Sequence, residues 1–328
     1  MLGLKEQRVD CDKRGPLILQ PHAGCSDLST LLHTQAAELE SRLLDAGAIL
    51  FRGFDVRETA QFEQVVAAIS STRLNYTYRS TPRTCLGRDI YTTTEYPPDR
   101  EIPLHNENAY QRDWPLKLAF CCLVPASSGG ETPLADMRSV SAAVGTELLE
   151  KFEARGVRYV RHYRPYSDLP WQTVFQTDDR AELARFCAVN AIAHEWIDTD
   201  ILRTSQSCQG VAYHPVTRER LLFNQAHLFH VSSLAPAQSA LLLTMFGSDL
   251  LPRHAYFGDG ENISPPELEI VRAAFRAAEV RFAWEAGDVL LLDNMLMAHG
   301  RRPFTGPRRH LAALLDPFSA SSRATYRS

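Results

Sequence analysis

The sequence predicts an α+β protein whose core is mainly β, with flanking helices and a central insertion around residues 138–210. Three observations carry this. The opening 70 residues alternate helical and strand signals, residues 72–135 turn β-like and polar, and a late block supplies short apolar strands that return to the core.

In order, STLLHTQAAELESRLL (29–44) spaces its leucines and alanines as one amphipathic helix, and AGAILFRGF (46–54) is a short apolar strand closed by Gly-Phe. The stretch 56–70 then brings Phe62, Val65, Val66 and Ile69 onto one helical face. Between 72 and 135, Thr, Tyr and Val enrichment with Pro-Pro and Gly-Gly punctuation favours strands joined by loops. RYVRHYRPY reads as a strand and TDDRAELARFCAVN (177–190) as a helix within the insertion. GVAYHP, RLLFNQ, helices near SSLAPAQSALLLTMF and PPELEIVRAAFRAAEV, and the strands of VRFAWEAGDVLLLDNMLMAHGRRPF and RRHLAALLDP follow. There is no repeat, and we read residues 1–328 as one domain.

Composition narrows the function classes. Of 328 residues 45% are hydrophobic and 23% charged, with a formal net charge of −4, so the basic footprint of a nucleic-acid binder is missing. The N-terminus mixes charges without an apolar signal core, and no later stretch approaches the ~18 apolar residues of a membrane span. The expectation is a cytoplasmic protein with no membrane partner. Seven cysteines (Cys11, Cys25, Cys85, Cys121, Cys122, Cys187 and Cys208) lack C-x-x-C spacing and are expected as free thiols. G-x-S-x-G and G-x-x-x-x-G-K-[ST] are absent, and Gly258-Asp259-Gly260 lacks the context of a dinucleotide turn, so hydrolase, kinase and dehydrogenase readings lack support.

The chemistry points elsewhere. Divalent iron that activates oxygen takes two histidines and one carboxylate on one side and keeps its other positions open. LHNEN (104–108) offers His105 and Glu107, which would share a face if the segment is extended, as Pro103 encourages. Alone the pair is weak, because this composition yields about one H-x-[DE] by chance. The far segment 287–314 adds weight: an apolar strand runs into a turn bearing His299, and Arg309 follows ten residues later in another strand-like run. An arginine fork in a partly buried strand suits the carboxylate of a dicarboxylic acid.

Together, the H-x-E pair, the GGET loop (Gly129–Thr132) and DNMLMAHGRRPFTGPRR resemble the TauD/TfdA family of Fe(II)/2-oxoglutarate-dependent dioxygenases. TPRTCLGRDIYTTTEYPPDREIPLHNENAY, DLPWQTVFQT, FNQAHLFHVSSL and RHAYFGDGENI are similar to the branch of the syringomycin-biosynthesis aspartyl hydroxylase SyrP. The resemblance spans roughly residues 45–315. It implies a double-stranded β-helix, or jelly roll, with the metal between two sheets and the insertion forming part of a lid. It implies His105, Glu107 and His299 as iron ligands, Arg309 as partner of the distal 2-oxoglutarate carboxylate with Arg308 as the alternative, and Thr132 as a hydroxyl donor to it. Iron(II), 2-oxoglutarate and O2 are the implied cofactor and cosubstrates. Many family members carry Asp where this chain has Glu107; since related halogenases lack the carboxylate altogether, halogenation is disfavoured.

The implied reaction is hydroxylation of an unactivated carbon, Cβ above all, with release of succinate and CO2. The substrate would be an amino acid or an aminoacyl thioester on a peptidyl carrier protein in natural-product biosynthesis. Epoxidation, desaturation or ring formation is the alternative outcome, and a catalytically silent binding protein the remote one. Arg79, Arg83, Asn108, Arg203, Asn224 and Gln225 are the candidate substrate contacts. His227 and His230 form a competing H-x-x-H read as structural, His194 and Glu195 a surface pair, and Trp171 a core aromatic or a wall of the site.

Overall fold

The apolar run Val289–Asp293 (VLLLD) lies near the middle of an eight-stranded sheet, between Ala48–Phe51 and Asp113–Val124. The sheet order is Leu4–Arg8, Leu17–Pro21, Ala48–Phe51, Val289–Asp293, Asp113–Val124, Arg309–Ser319, Ile90–Thr92, Cys85–Gly87. This is a computed structural model, and it describes residues 4–10, 13–22, 27–74, 85–87, 90–93, 96–165 and 169–320, with 85–87 as backbone only. A second sheet of four strands, ordered Glu279–Phe282, Thr132–Asp136, Met297–Arg301, Ile102–His105, faces the first.

Side-chain alternation explains the layering. On the larger sheet Leu50, Phe120, Leu290, Leu292, Ala312 and Leu314 point inward and meet Leu134, Phe282 and Met297 of the smaller one. Their neighbours Ile49, Phe51, Cys121, Leu291, Leu311 and Ala313 point outward, onto Leu31, Leu39, Leu43, Phe62 and Val66 of three N-terminal helices. The central strands are therefore buried on both faces, which is why they read as unbroken apolar runs. Each fully buried leucine, isoleucine or phenylalanine adds about 1.5–3 kcal/mol.

The outer face of the smaller sheet is covered by Met137–Val144 and Pro265–Ala278, the latter started by a Ser264/Glu267 capping box. These helices bound the insertion. Strands Thr132–Asp136 and Glu279–Phe282 are antiparallel neighbours, yet the whole of 137–278 lies between them in the chain. The expected end of the insertion is near 210; in the structure the excursion between these two strands runs to Ala278, and Arg253–Phe257 joins Val157–Tyr163, Ile201–Cys208 and Ala193–Asp198 in one sheet. The single helix expected over 29–44 is two, Leu28–Thr34 and Ala36–Ala46, separated by Gln35 at φ −124° and ψ 26°. Thr34 Oγ1 donates back to the Thr30 carbonyl at the break. Cys121, Cys122, Cys187 and Cys208 are free and buried; Cys11 and Cys25 lie outside the described residues. Among the described residues, no helix is long and apolar enough to cross a membrane.

Candidate active site

Ile102–His105 pairs antiparallel with Met297–Arg301 so that His105 and His299 sit directly opposite each other. Opposed positions bring side chains onto one face within contact range, and the two imidazole centroids are 4.6 Å apart. Gly300 permits this approach: a Cβ there would lie 2.6 Å from the Ile102 carbonyl oxygen. Glu107 arrives differently from the expectation. The strand ends at His105 and residues 107–110 form a turn, so the carboxylate reaches the histidines by chain reversal rather than by i, i+2 alternation. Glu107 Oε2 lies 4.0 Å from His105 Nε2 and 3.8 Å from His299 Nε2. The three ligand atoms fall within 4.8 Å of one another, the one such group of three or more among the described residues. His105 Nδ1 is 2.8 Å from the Pro103 carbonyl. That oxygen only accepts, so the proton sits on Nδ1 and Nε2 presents its lone pair, the tautomer a metal requires. Two imidazole nitrogens and one carboxylate fit a divalent first-row ion that retains open positions.

The turn that delivers Glu107 is held from behind by Asn294, which is fully buried. Its Oδ1 accepts the Glu107 N–H at 2.7 Å, and its Nδ2 donates to the carbonyls of Glu107 and Pro115, each at 2.9 Å. Asn106 Nδ2 returns a hydrogen bond to the Asn294 carbonyl at 2.7 Å. The Asn294 turn is itself fixed by Asp293, whose Oδ1 accepts from the N–H groups of Met295 and Leu296. Asp293 Oδ2 accepts from His214 Nε2 at 2.9 Å; His214 Nδ1, which accepts from Val216 and Thr217, sets that tautomer.

Beside the histidines a cavity opens between the sheets, lined among others by Phe120, Thr132, Trp284, Arg308 and His310. Arg308 enters it, whereas Arg309, expected as the carboxylate anchor with Arg308 as the alternative, does not. Residues 308, 310, 312 and 314 alternate onto the inner face with Ala312 and Leu314, whereas Arg309 is exposed. Gly129 and Gly130, at φ 70° and 77°, keep the neighbouring loop close; a Cβ on Gly130 would meet Arg308 Nε at 3.4 Å. Arg308 donates to Thr93 Oγ1 at 3.3 Å and has no carboxylate partner among the described residues. Burial, and then the charge of Arg301, push its pKa down to about 10. Arg301 is occupied by the carbonyls of Tyr96, Pro97 and Arg100. Thr132 Oγ1 accepts from Trp284 Nε1 at 2.9 Å.

Residues 18–315 match the family described as "Taurine catabolism dioxygenase TauD, TfdA family". The chain belongs to the TauD/TfdA dioxygenase family. It is 42% identical to the dapdiamide synthesis protein DdaC of Enterobacter agglomerans over 87% of this chain and 86% of that one. It is 32% identical to a clavaminate synthase-like protein of Arabidopsis thaliana over 86% of each. In fold it is similar to PvcB, an Fe, alpha-ketoglutarate dependent oxygenase from an isonitrile synthetic pathway (TM-score 0.53, 16% identity, 97% of this chain and 93% of that chain). This TauD/TfdA enzyme is accordingly a dioxygenase that uses Fe(II), 2-oxoglutarate and O2.

The substrate contacts expected in this dioxygenase fare unevenly. Arg79 and Arg83 lie outside the described residues. Asn108, in the left-handed region at φ 58°, is buried with Oδ1 unpartnered. Arg203 pairs with Glu195 at 3.4 Å across the insertion sheet and, like Asn108, is not among the residues lining the cavity beside the histidines. Asn224 and Gln225 spend their amides on backbone. Asn224 Nδ2 donates to the Gly210 carbonyl and its Oδ1 accepts the Ala226 N–H, while Gln225 Nε2 donates to the Asn106 carbonyl at 2.7 Å, bracing the ligand turn. His227 donates to the Leu104 carbonyl and stacks on Phe275, and His230 lies against His254 with the rings tilted and centroids 4.2 Å apart; neither belongs to a metal-type cluster. His194 and Glu195 are exposed, and Trp171 packs edge-on against Trp196 in the insertion's core. Sequence reasoning passed over Asn294, Trp284 and His310, although the first stands in the DNM string and the last two residues beyond Arg308.

Proposed function

We propose that His105, Glu107 and His299 hold Fe(II), and that Arg308 and Thr132 bind the distal carboxylate of 2-oxoglutarate, within a double-stranded β-helix. The enzyme hydroxylates Cβ of an amino acid or of a carrier-protein-bound aminoacyl group in natural-product biosynthesis. The observation that carries this reading is the convergence of three ligand atoms within 4.8 Å beside a cavity holding an arginine that has no carboxylate partner among the described residues. When bound, iron with 2-oxoglutarate supplies the oxidising power that breaks an unactivated C–H bond, releasing succinate and CO2.

The chain's own residues do the positioning. Pro103 fixes the His105 tautomer. Trp284 occupies the Thr132 oxygen as a donor, which turns the Thr132 O–H toward other acceptors. Arg308 offers a charge-assisted fork in a desolvated wall, and Phe120, 5.3 Å from the His299 ring, keeps that side of the site apolar. Asn108, the residue directly after Glu107 in the same turn and with a buried amide oxygen unpartnered among the described residues, is the substrate contact we retain. The kinship with a dapdiamide synthesis protein supports a small amino-acid-derived substrate.

The test is anaerobic loading with Fe(II) and 2-oxoglutarate, a panel of free amino acids and carrier-protein thioesters, then exposure to oxygen. Mass spectrometry should find one product carrying one added oxygen, with equimolar succinate. Succinate formation that no member of the panel stimulates, with no oxygenated product, would count against the substrate class. A His299→Ala enzyme with undiminished turnover would sink the ligand assignment.

A further inference from the structure

His310 stands on the inner face of Arg309–Ser319, is 3% exposed and lines the same cavity as His105, His299, Thr132 and Arg308. Both of its ring nitrogens are buried and neither has a hydrogen-bond partner among the described residues. Its ring meets Trp284 edge-on, with centroids 4.9 Å apart. A buried imidazole that leaves both nitrogens unused is costly and calls for an explanation. Apolar residues fill the following inward positions of the same strand, Ala312 and Leu314, so packing alone does not ask for a histidine at 310.

The surroundings state which partner is missing. Arg308 brings a cation with no carboxylate to meet it among the described residues. Thr132 has its oxygen occupied by an indole that can only donate, which leaves its hydroxyl hydrogen to give. His310 is held neutral, its pKa lowered to about 2 by burial and then by Arg308, so it keeps one N–H to donate. Guanidinium, hydroxyl and imidazole N–H are all donors on one cavity, and the ligand chemistry that answers three donors is a carboxylate.

We infer that His310 is a third donor to the distal carboxylate of 2-oxoglutarate, joining Arg308 and Thr132 in a three-sided clasp. This rests on the proposal that Arg308 anchors that carboxylate. His310 then contributes to selecting a dicarboxylic 2-oxo acid over a monocarboxylic one of the same length.

The experiment measures equilibrium binding by calorimetry to the full chain, anaerobic and loaded with Mn(II), so that no turnover is needed. The probes are 2-oxoglutarate and 2-oxopentanoate, which lacks the distal carboxylate. A charge-assisted hydrogen bond lost in His310→Leu should weaken 2-oxoglutarate roughly ten- to a hundredfold. Binding of 2-oxopentanoate should stay within about twofold of wild type, and the ligand-free protein should melt no lower, since a leucine leaves no unpaired nitrogen. His310→Gln or His310→Asn, whichever carries its amide where the N–H was, should recover part of the loss. Should the leucine variant fail to fold, His310→Phe takes its place. If His310→Leu binds 2-oxoglutarate as wild type does while Arg308→Leu loses it, the inference is overturned and the Arg308 anchor stands. If both probes weaken equally, His310 is only packing and the inference is overturned as well. If Arg308→Leu leaves 2-oxoglutarate binding unchanged, the anchor itself is wrong and His310 falls with it.

Discussion

Replacing Asn294 by alanine removes three side-chain hydrogen bonds from a fully buried position: one from the Glu107 N–H at 2.7 Å and two to the carbonyls of Glu107 and Pro115 at 2.9 Å. The Glu107 N–H then loses this acceptor where water does not reach, which costs about 1–3 kcal/mol; with the two weakened carbonyls the expected loss of stability is roughly 2–4 kcal/mol. The second effect concerns the site. Groups that orient a metal ligand typically change affinity by about 10–100-fold when removed, and Asn294 holds both backbone groups of Glu107. Denaturant unfolding of the metal-free protein measures the first effect, and a competitive Fe(II) or Mn(II) titration the second. An alanine variant within about 0.5 kcal/mol of wild type and with unchanged metal affinity would show that the Glu107 turn holds itself, and would refute the argument.

Four further outcomes follow from the same geometry. Arg308→Ala should raise the 2-oxoglutarate Kd at least about tenfold while Arg309→Ala stays within about twofold, read by anaerobic titration. Trp284→Phe should weaken 2-oxoglutarate a few-fold by freeing Thr132 to rotate, with metal affinity intact. Gly300→Ala should cost stability and metal affinity together, because its Cβ would lie 2.6 Å from the Ile102 carbonyl and push the two histidine strands apart; unfolding and metal titration check it. Stability should also fall in mild acid. Burial lowers His230 to about 4 and His254 to about 3, so the unfolded chain binds more protons below the ordinary histidine value of about 6.5. Their contribution is present above that value and is lost as pH falls from it toward 4, by roughly 1–2 kcal/mol per histidine at pH ~5. Melting curves across this range should flatten in His254→Gln, and an unchanged slope would count against the two buried histidines as its source.

The ligand set could be read in the chain only from its parts together: a His-x-Glu that chance alone would supply about once, and a histidine at the end of a far apolar run. The register that joins His105 to His299 could not, since it comes from pairing residues nearly two hundred positions apart. Which of Arg308 and Arg309 faces the cavity could not be read from the sequence, for a physical reason. In HLAALL both faces of the strand are apolar, because the inner one meets the smaller sheet and the outer one meets helices. A strand buried on both sides gives no hydrophobic phase, so nothing in the letters says which arginine points inward. The insertion's true end at Ala278 was hidden likewise, because only the pairing of Arg253–Phe257 with Val157–Tyr163 ties the late residues to the early ones. Asn224 and Gln225 resembled ligand-binding amides because a short polar side chain serving backbone carries the same letter as one serving a substrate.

The most direct test of the central claim is a crystal structure of the protein grown anaerobically with Fe(II) and 2-oxoglutarate, the metal located by its anomalous signal. The account predicts one ion bonded to His105 Nε2, His299 Nε2 and a Glu107 carboxylate oxygen, with the distal carboxylate of 2-oxoglutarate on Arg308. An ion held by other residues, or a 2-oxoglutarate carboxylate on Arg309 with Arg308 unengaged, would contradict it.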